Sequence, residues 1–139
     1  MQIRYAQPSD RDPIVSLDHV ATLDSSRVDL IDRAIASLIC LIAESSGQVL
    51  GYGILEHSFF SNAFISLIYV SDSERRKGVG SALLNALVER CDTPKLFTST
   101  NESNTAMRSL LVRAGFIESG VIHNLDPGDP ECVYFKSIY

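Results

Sequence analysis

Between Leu67 and Leu84 the chain passes from Leu67-Ile68-Tyr69-Val70 through the charged run Ser71-Asp72-Ser73-Glu74-Arg75-Arg76-Lys77 into Gly78-Val79-Gly80-Ser81-Ala82-Leu83-Leu84. An apolar strand here feeds a polar loop that opens a helix. The first N–H groups of such a helix have no intrahelical acceptor, and the helix dipole adds positive potential there. Gly78 and Gly80 let a ligand come close to those amides, while Arg75, Arg76 and Lys77 add charge. The combination suits a phosphate or pyrophosphate. A glycine-tolerant turn carrying a solvated basic run is the plainer use of the same residues.

Two phosphate motifs fail. A P-loop requires GxxxxGK(S/T), and no Gly-Lys-Ser or Gly-Lys-Thr occurs. A dinucleotide fingerprint requires a third glycine, but the run from Gly78 ends in Leu83 and the run from Gly51 ends in Glu56. Kinase and nicotinamide chemistry are thereby disfavoured.

Around this segment the pattern reads β-α-α-β-β-β-α-β-α-β-β, an α+β or mixed α/β domain. Ile3 to Ala6 opens it. Ser9 with Asp12 fits a capping box for a helix carrying Ile14, Leu17, Asp18 and Val20. Asp24 caps a second helix with Val28, Ile31, Ala34 and Ile35 on one stripe. Leu38 to Ala43 and Gln48 to Glu56 make a hairpin, and Asn62 turns the chain into Ala63 to Val70. A helix over Val79 to Arg90, a strand over Lys95 to Thr100 and a helix over Asn104 to Ala114 follow, the last closed by Gly115. Phe116 to His123 and Cys132 to Ile138 close the domain around Leu125-Asp126-Pro127-Gly128-Asp129-Pro130.

A length of 139 residues suits one domain over 1–139. The net charge of −5 gives no overall field for nucleic acid and suits a cationic substrate. Cys40, Cys91 and Cys132 are odd in number with no CxxC pair, as expected of reduced thiols in a cytoplasmic protein. The start MQIRYAQPSDRD has charges where a signal peptide needs an apolar run. The stretch from Ser58 to Val70 falls short of the ~18 apolar residues of a membrane span. It reads as a buried strand, so no membrane partner is expected. His19, His57 and His123 are isolated, so no metal site is expected.

Arg75-x-x-Gly78-x-Gly80 after an apolar strand resembles the acetyl-CoA pyrophosphate loop of the GNAT superfamily of N-acetyltransferases. Ile3-Arg4-Tyr5-Ala6 with Ser9-Asp10 resembles the family's opening strand and helix start, and Asn104 with Gly115-Phe116 its Asn-to-Gly-Phe segment. The resemblance implies a mixed, mostly antiparallel sheet of about seven strands, splayed between the fourth and fifth and flanked by about four helices. It implies acetyl-CoA as cosubstrate and direct transfer to a primary amine of a small molecule or peptide. Ile68 and Val70 would bond the pantetheine. Arg75, Arg76, Lys77, Gly78, Val79, Gly80 and Ser81 would hold the pyrophosphate, and Asn104 would contact the pantetheine or fix its helix. A bulge near Tyr69 would splay the strands, with a backbone N–H there polarising the thioester.

Two departures stand out. Where the family usually places a tyrosine to protonate the departing thiolate, this chain has Leu111, so the role is vacant or falls to another residue, with Tyr134 and Tyr52 as candidates. The fourth strand has no carboxylate, which leaves Glu56, ahead of His57, as the general base. The acids Asp126, Asp129 and Glu131 suit either a solvated hairpin end or a seat for a cationic amine. Phe59-Phe60 suits core packing, an acceptor wall or a homodimer contact. Cys132 reads as a core thiol rather than a nucleophile. The rival readings are a catalytically weak acyl-CoA-binding or interaction domain, and a protein or peptide N-terminal acetyltransferase.

Overall fold

A computed structural model describes residues 1–139. The elements are β1 (Gln2–Tyr5), α1 (Arg11–Leu17), α2 (Ser25–Ala36), β2 (Cys40–Ser45), β3 (Gln48–Phe59), β4 (Asn62–Val70), α3 (Val79–Glu89), β5 (Lys95–Asn101), α4 (Thr105–Arg113), β6 (Ile117–Ile122) and β7 (Glu131–Ser137). The strands form a mixed seven-stranded sheet in the order β1-β2-β3-β4-β5-β7-β6. β4 and β5 run parallel, in register at Ala63–Leu96, Phe64–Phe97 and Ile65–Thr98. The pairs β1–β2, β2–β3, β5–β7 and β6–β7 are antiparallel. Two compact units make up the chain, Met1–Leu55 with Leu67–Glu89, and Glu56–Ser66 with Arg90–Tyr139.

In the first unit, Ile14, Ile31 and Ile35 of the helices pack on Ile42, Tyr52 and Ile54 of β2 and β3. The Asp24 carboxylate caps α2 through Ser26 N, as its sequence position predicts. α1 does not extend to Val20. It ends at Leu17 because Asp18 turns inward, where its carboxylate accepts from the backbone N–H of Val20 and Ala21. The capping box also differs from expectation: it pairs Gln7 with Asp10 rather than Ser9 with Asp12. Asp10 instead meets Arg4 at 2.8 and 3.0 Å, and Arg4 reaches across to Glu44 on β2 at 2.9 Å. The Arg4 guanidinium, ahead of an opposing effect of burial, holds the Asp10 carboxyl below its ordinary range.

In the second unit the β3–β4 hairpin turns at Phe60 and Ser61, both with positive φ (49° and 65°), so Asn62 begins β4 rather than forming the turn. Phe59 stacks on Phe64 at a centroid distance of 4.6 Å, while Phe60 is 85% exposed. Phe64, Phe97 and Phe135 lie in one cross-strand row. A groove of about 450 Å3 beside this row is lined by Phe59, Phe60, Phe97, Val121, Ile122 and Val133, among others. α4 is capped by Asn104, whose Oδ1 accepts from Met107 N at 3.1 Å, and closed by Gly115 at φ 90°. No helix is long and apolar enough to cross a membrane.

Candidate functional site

β4 enters the site with a change in burial. From Ala63 to Ile65 buried and half-buried residues alternate, but from Ser66 through Val70 every residue is half-buried. Ile68 and Val70 therefore keep part of their surface available. Ser66 Oγ is itself buried with no hydrogen-bond partner, an uncommon condition for a buried hydroxyl.

β3 leaves room for the end of β4. A Cβ on Gly51 would stand 2.7 Å from the Tyr69 carbonyl oxygen and 3.2 Å from Val70 Cα. A Cβ on Gly53 would meet Leu87 of α3 at 2.8 Å. These glycines, which fail as a dinucleotide motif, serve close packing of β4 and α3 on β3.

After Val70 the loop folds back on itself. Arg75 Nε donates to the Val70 carbonyl at 3.2 Å, its NH2 group lies 3.2 Å from Asp72, and its guanidinium sits 5.4 Å from the Tyr69 ring centroid. Arg75 is thus engaged within the loop. Arg76 is exposed with φ 64°, and Lys77 reaches Glu74 at 3.7 Å. Gly78 has φ 86° with no heavy atom within 4 Å of where a Cβ would be, so the space over it is open.

α3 then begins at Val79, which is buried and fixes the helix start, and Ala82 N donates to the Gly78 carbonyl at 3.0 Å. The N–H groups from Gly78 to Ser81 precede the first helical repeat and have no intrahelical acceptor. No acidic residue stands in this first turn. The local field favours an anion.

The remaining expected residues lie in the second unit. Asn104 is occupied as the α4 cap. Leu111 is buried, as are Phe116 and Tyr134. The Tyr134 hydroxyl oxygen accepts from Arg108 Nε at 3.1 Å, which leaves its proton free to donate elsewhere. Arg108 is held further by the Glu102 carbonyl at 3.2 Å and Glu118 at 3.3 Å. Glu56 is half-buried on β3, and its neighbour His57 contacts Asp92 at 3.2 Å.

The acidic loop is tied down. Asp126 accepts from Asn101 at 2.8 Å, Asp129 from Ser103 Oγ at 2.6 Å, and Glu131 from Ser99 Oγ at 2.7 Å. Asp126 and Asp129 anchor the turn to the β5–α4 junction, and Glu131 ties the start of β7 to β5. No group of three or more His, Cys, Asp or Glu stands together in a way that could hold a metal ion.

One feature had no local signature in the sequence. Asp18 is fully buried, accepting from the Tyr52 hydroxyl and from Arg27 Nε at 3.0 Å. Burial, the largest single influence, pushes its carboxyl up, but the bonds from Tyr52 and Arg27 together hold it below its ordinary 3.8. Tyr52 is pushed well up by burial and by Asp18, so its proton is committed to that carboxylate. Tyr52 is therefore a structural donor rather than a proton source for chemistry.

Comparisons with known proteins converge. Residues 10–116 match the model of the acetyltransferase (GNAT) family. An acetyltransferase of that family from Bacillus cereus ATCC 10987 superposes with a TM-score of 0.91 at 36% identity, covering 98% of this chain and 96% of the other. A Salmonella typhimurium chain solved with its cofactor acetyl-CoA gives 0.82 at 20% identity, covering 100% and 94%. Phosphinothricin N-acetyltransferase of Alcaligenes faecalis is 31% identical over 98 residues, 65% of this chain. The match spans 50% of that relative's length.

Proposed function

Because the chain belongs to the acetyltransferase (GNAT) family, we propose that it moves an acetyl group from acetyl-CoA to a primary amine by direct attack in a ternary complex. The observation that carries this reading is the entrance to α3. Gly78 is open above its backbone, the following amides are unpaired within the helix, and no carboxylate stands in the first turn. The pyrophosphate would rest on the amides from Arg76 to Ser81, with Lys77 and the Arg76 side chain adding charge. Arg75 would act as a strut, since Val70, Asp72 and Tyr69 already engage it. Ile68 and Val70 would contact the pantetheine, and the unpartnered Ser66 hydroxyl on the same strand offers a further polar contact.

In the transfer, the amine nitrogen bonds to the acetyl carbon as the carbon–sulfur bond breaks. Glu56 would take the amine proton, and Tyr134 would give its proton to the sulfur, with Arg108 holding the phenol oxygen. The name of the Alcaligenes faecalis relative supports a small-molecule amine as the first acceptor to test, ahead of a peptide N-terminus. Leu111 favours a second reading, a domain that binds acyl-CoA with little turnover, because leucine cannot protonate a thiolate.

Calorimetric titration with acetyl-CoA tests the first step. Micromolar binding that disappears in Gly78→Trp supports the site, and absence of binding in the unaltered protein overturns it. Release of free CoA that depends on an added amine separates the enzyme from the binding domain.

A further inference from the structure

Resting on the acetyl-CoA reading, we propose that His19, in the turn between α1 and α2, is a positioning residue for the anion loop and acts through Asp72. His19 Nε2 lies 2.5 Å from Asp72 Oδ2. The other Asp72 oxygen lies 3.2 Å from Arg75, and Arg75 covers the Tyr69 ring. The Tyr69 hydroxyl in turn accepts from the backbone N–H of His19 at 3.2 Å. The four residues close a ring of contacts: His19 to Asp72 to Arg75 to Tyr69 and back to His19.

The ring has a fixed base. Asp18, the residue before His19, is buried and bound by Tyr52, Arg27 and two backbone N–H groups. The His19 carbonyl accepts from Thr22 Oγ1 at 2.7 Å. A rigid turn therefore grips the start of an otherwise exposed loop. Its far end carries two left-handed residues, Arg76 and Gly78, that set where the amides point.

A loop ordered in advance loses less conformational freedom when an anion binds. His19 also sets an imidazole against Asp72, the carboxylate that would otherwise repel a pyrophosphate. Asp72 from the loop is the group bonded to this side chain, while the Tyr69 phenol from β4 meets the His19 backbone and Arg75 meets the far oxygen of Asp72.

The test measures acetyl-CoA dissociation constants for the full chain, His19→Ala, His19→Gln, Asp72→Asn and the double variant His19→Ala/Asp72→Asn. His19→Ala is expected to weaken binding about three- to fivefold, the scale of an exposed polar contact. His19→Gln, which keeps a hydrogen-bond donor toward Asp72, should recover part of that. In the Asp72→Asn background the His19→Ala penalty should vanish, as coupling requires. An equal penalty in both backgrounds, or none in either, overturns the proposal.

Amide hydrogen exchange over residues 75–81 without any ligand supplies a second readout. His19→Ala should speed it severalfold, and unchanged exchange again overturns the proposal. If the unaltered protein binds no acetyl-CoA, the functional reading fails on its own, and the exchange measurement still decides what His19 does.

Discussion

Gly51 on β3 faces the backbone carbonyl of Tyr69 on β4 so closely that a single methyl group would stand 2.7 Å from the oxygen. The obstacle is main chain, which cannot rotate away as a side chain does. At Gly53 the nearest obstacle is Leu87 Cδ1, the end of a flexible side chain, at 2.8 Å.

Gly51→Ala should therefore destabilise the protein by about 2 kcal/mol through overpacking, and Gly53→Ala by less. Denaturant midpoints at constant slope would show the order, and equal costs would contradict the close approach. Acetyl-CoA affinity should fall in Gly51→Ala as well, because the end of β4 must move.

Asp18 predicts a pH dependence. Its folded carboxyl lies below the ordinary 3.8, so it contributes stability above the unfolded pKa, and this is lost as pH falls through the folded value. Thermal melts between pH 6 and pH 3 should show Tm falling in the unaltered protein and a shallower fall in Asp18→Asn. Asp18→Ala, which leaves Tyr52, Arg27 and two backbone donors without their acceptor, should cost about 3 kcal/mol at neutral pH.

Features that depend on neighbours in sequence are legible from the sequence. Asp24 as a cap, Asn104 before α4, Gly115 after it and the glycines opening α3 all act within a turn of their own position. The features that escaped depend on residues far apart. Asp18 is paired with Tyr52, 34 positions away, so nothing around it marks where α1 stops. The Phe60-Ser61 turn uses positive φ without glycine, asparagine or aspartate, the residues that announce such turns. Gly51 and Gly53 made sense only once β4 and α3 were laid against them.

The Tyr134–Arg108 pair yields a kinetic prediction. Tyr134→Phe keeps the ring in the core and removes the hydroxyl. The kcat for amine acetylation should drop about 100-fold, with the KM for acetyl-CoA unchanged. A kcat within twofold of the unaltered protein would remove Tyr134 as the acid.

Glu56→Gln should lower kcat/KM at neutral pH and recover activity as pH rises, because the acceptor amine then loses its proton without help. A pH profile parallel to that of the unaltered protein would assign the base elsewhere.

Asn104→Ala should cost about 1 kcal/mol by uncapping α4. An accompanying rise in the KM for acetyl-CoA would show a contact with the cofactor beyond the cap.

The three thiols are free and buried, and burial pushes Cys40 up to about 12. None can react with an alkylating dye until the fold around it opens, so each is a clock for its surroundings. Cys40 keeps time for the first compact unit, and Cys91 and Cys132 for the second. If all three label at one rate, the chain opens as a single cooperative body. If Cys91 and Cys132 label first, the second unit loosens while the first stays folded, and the order can be followed by mass spectrometry on the native thiols without introducing a new residue.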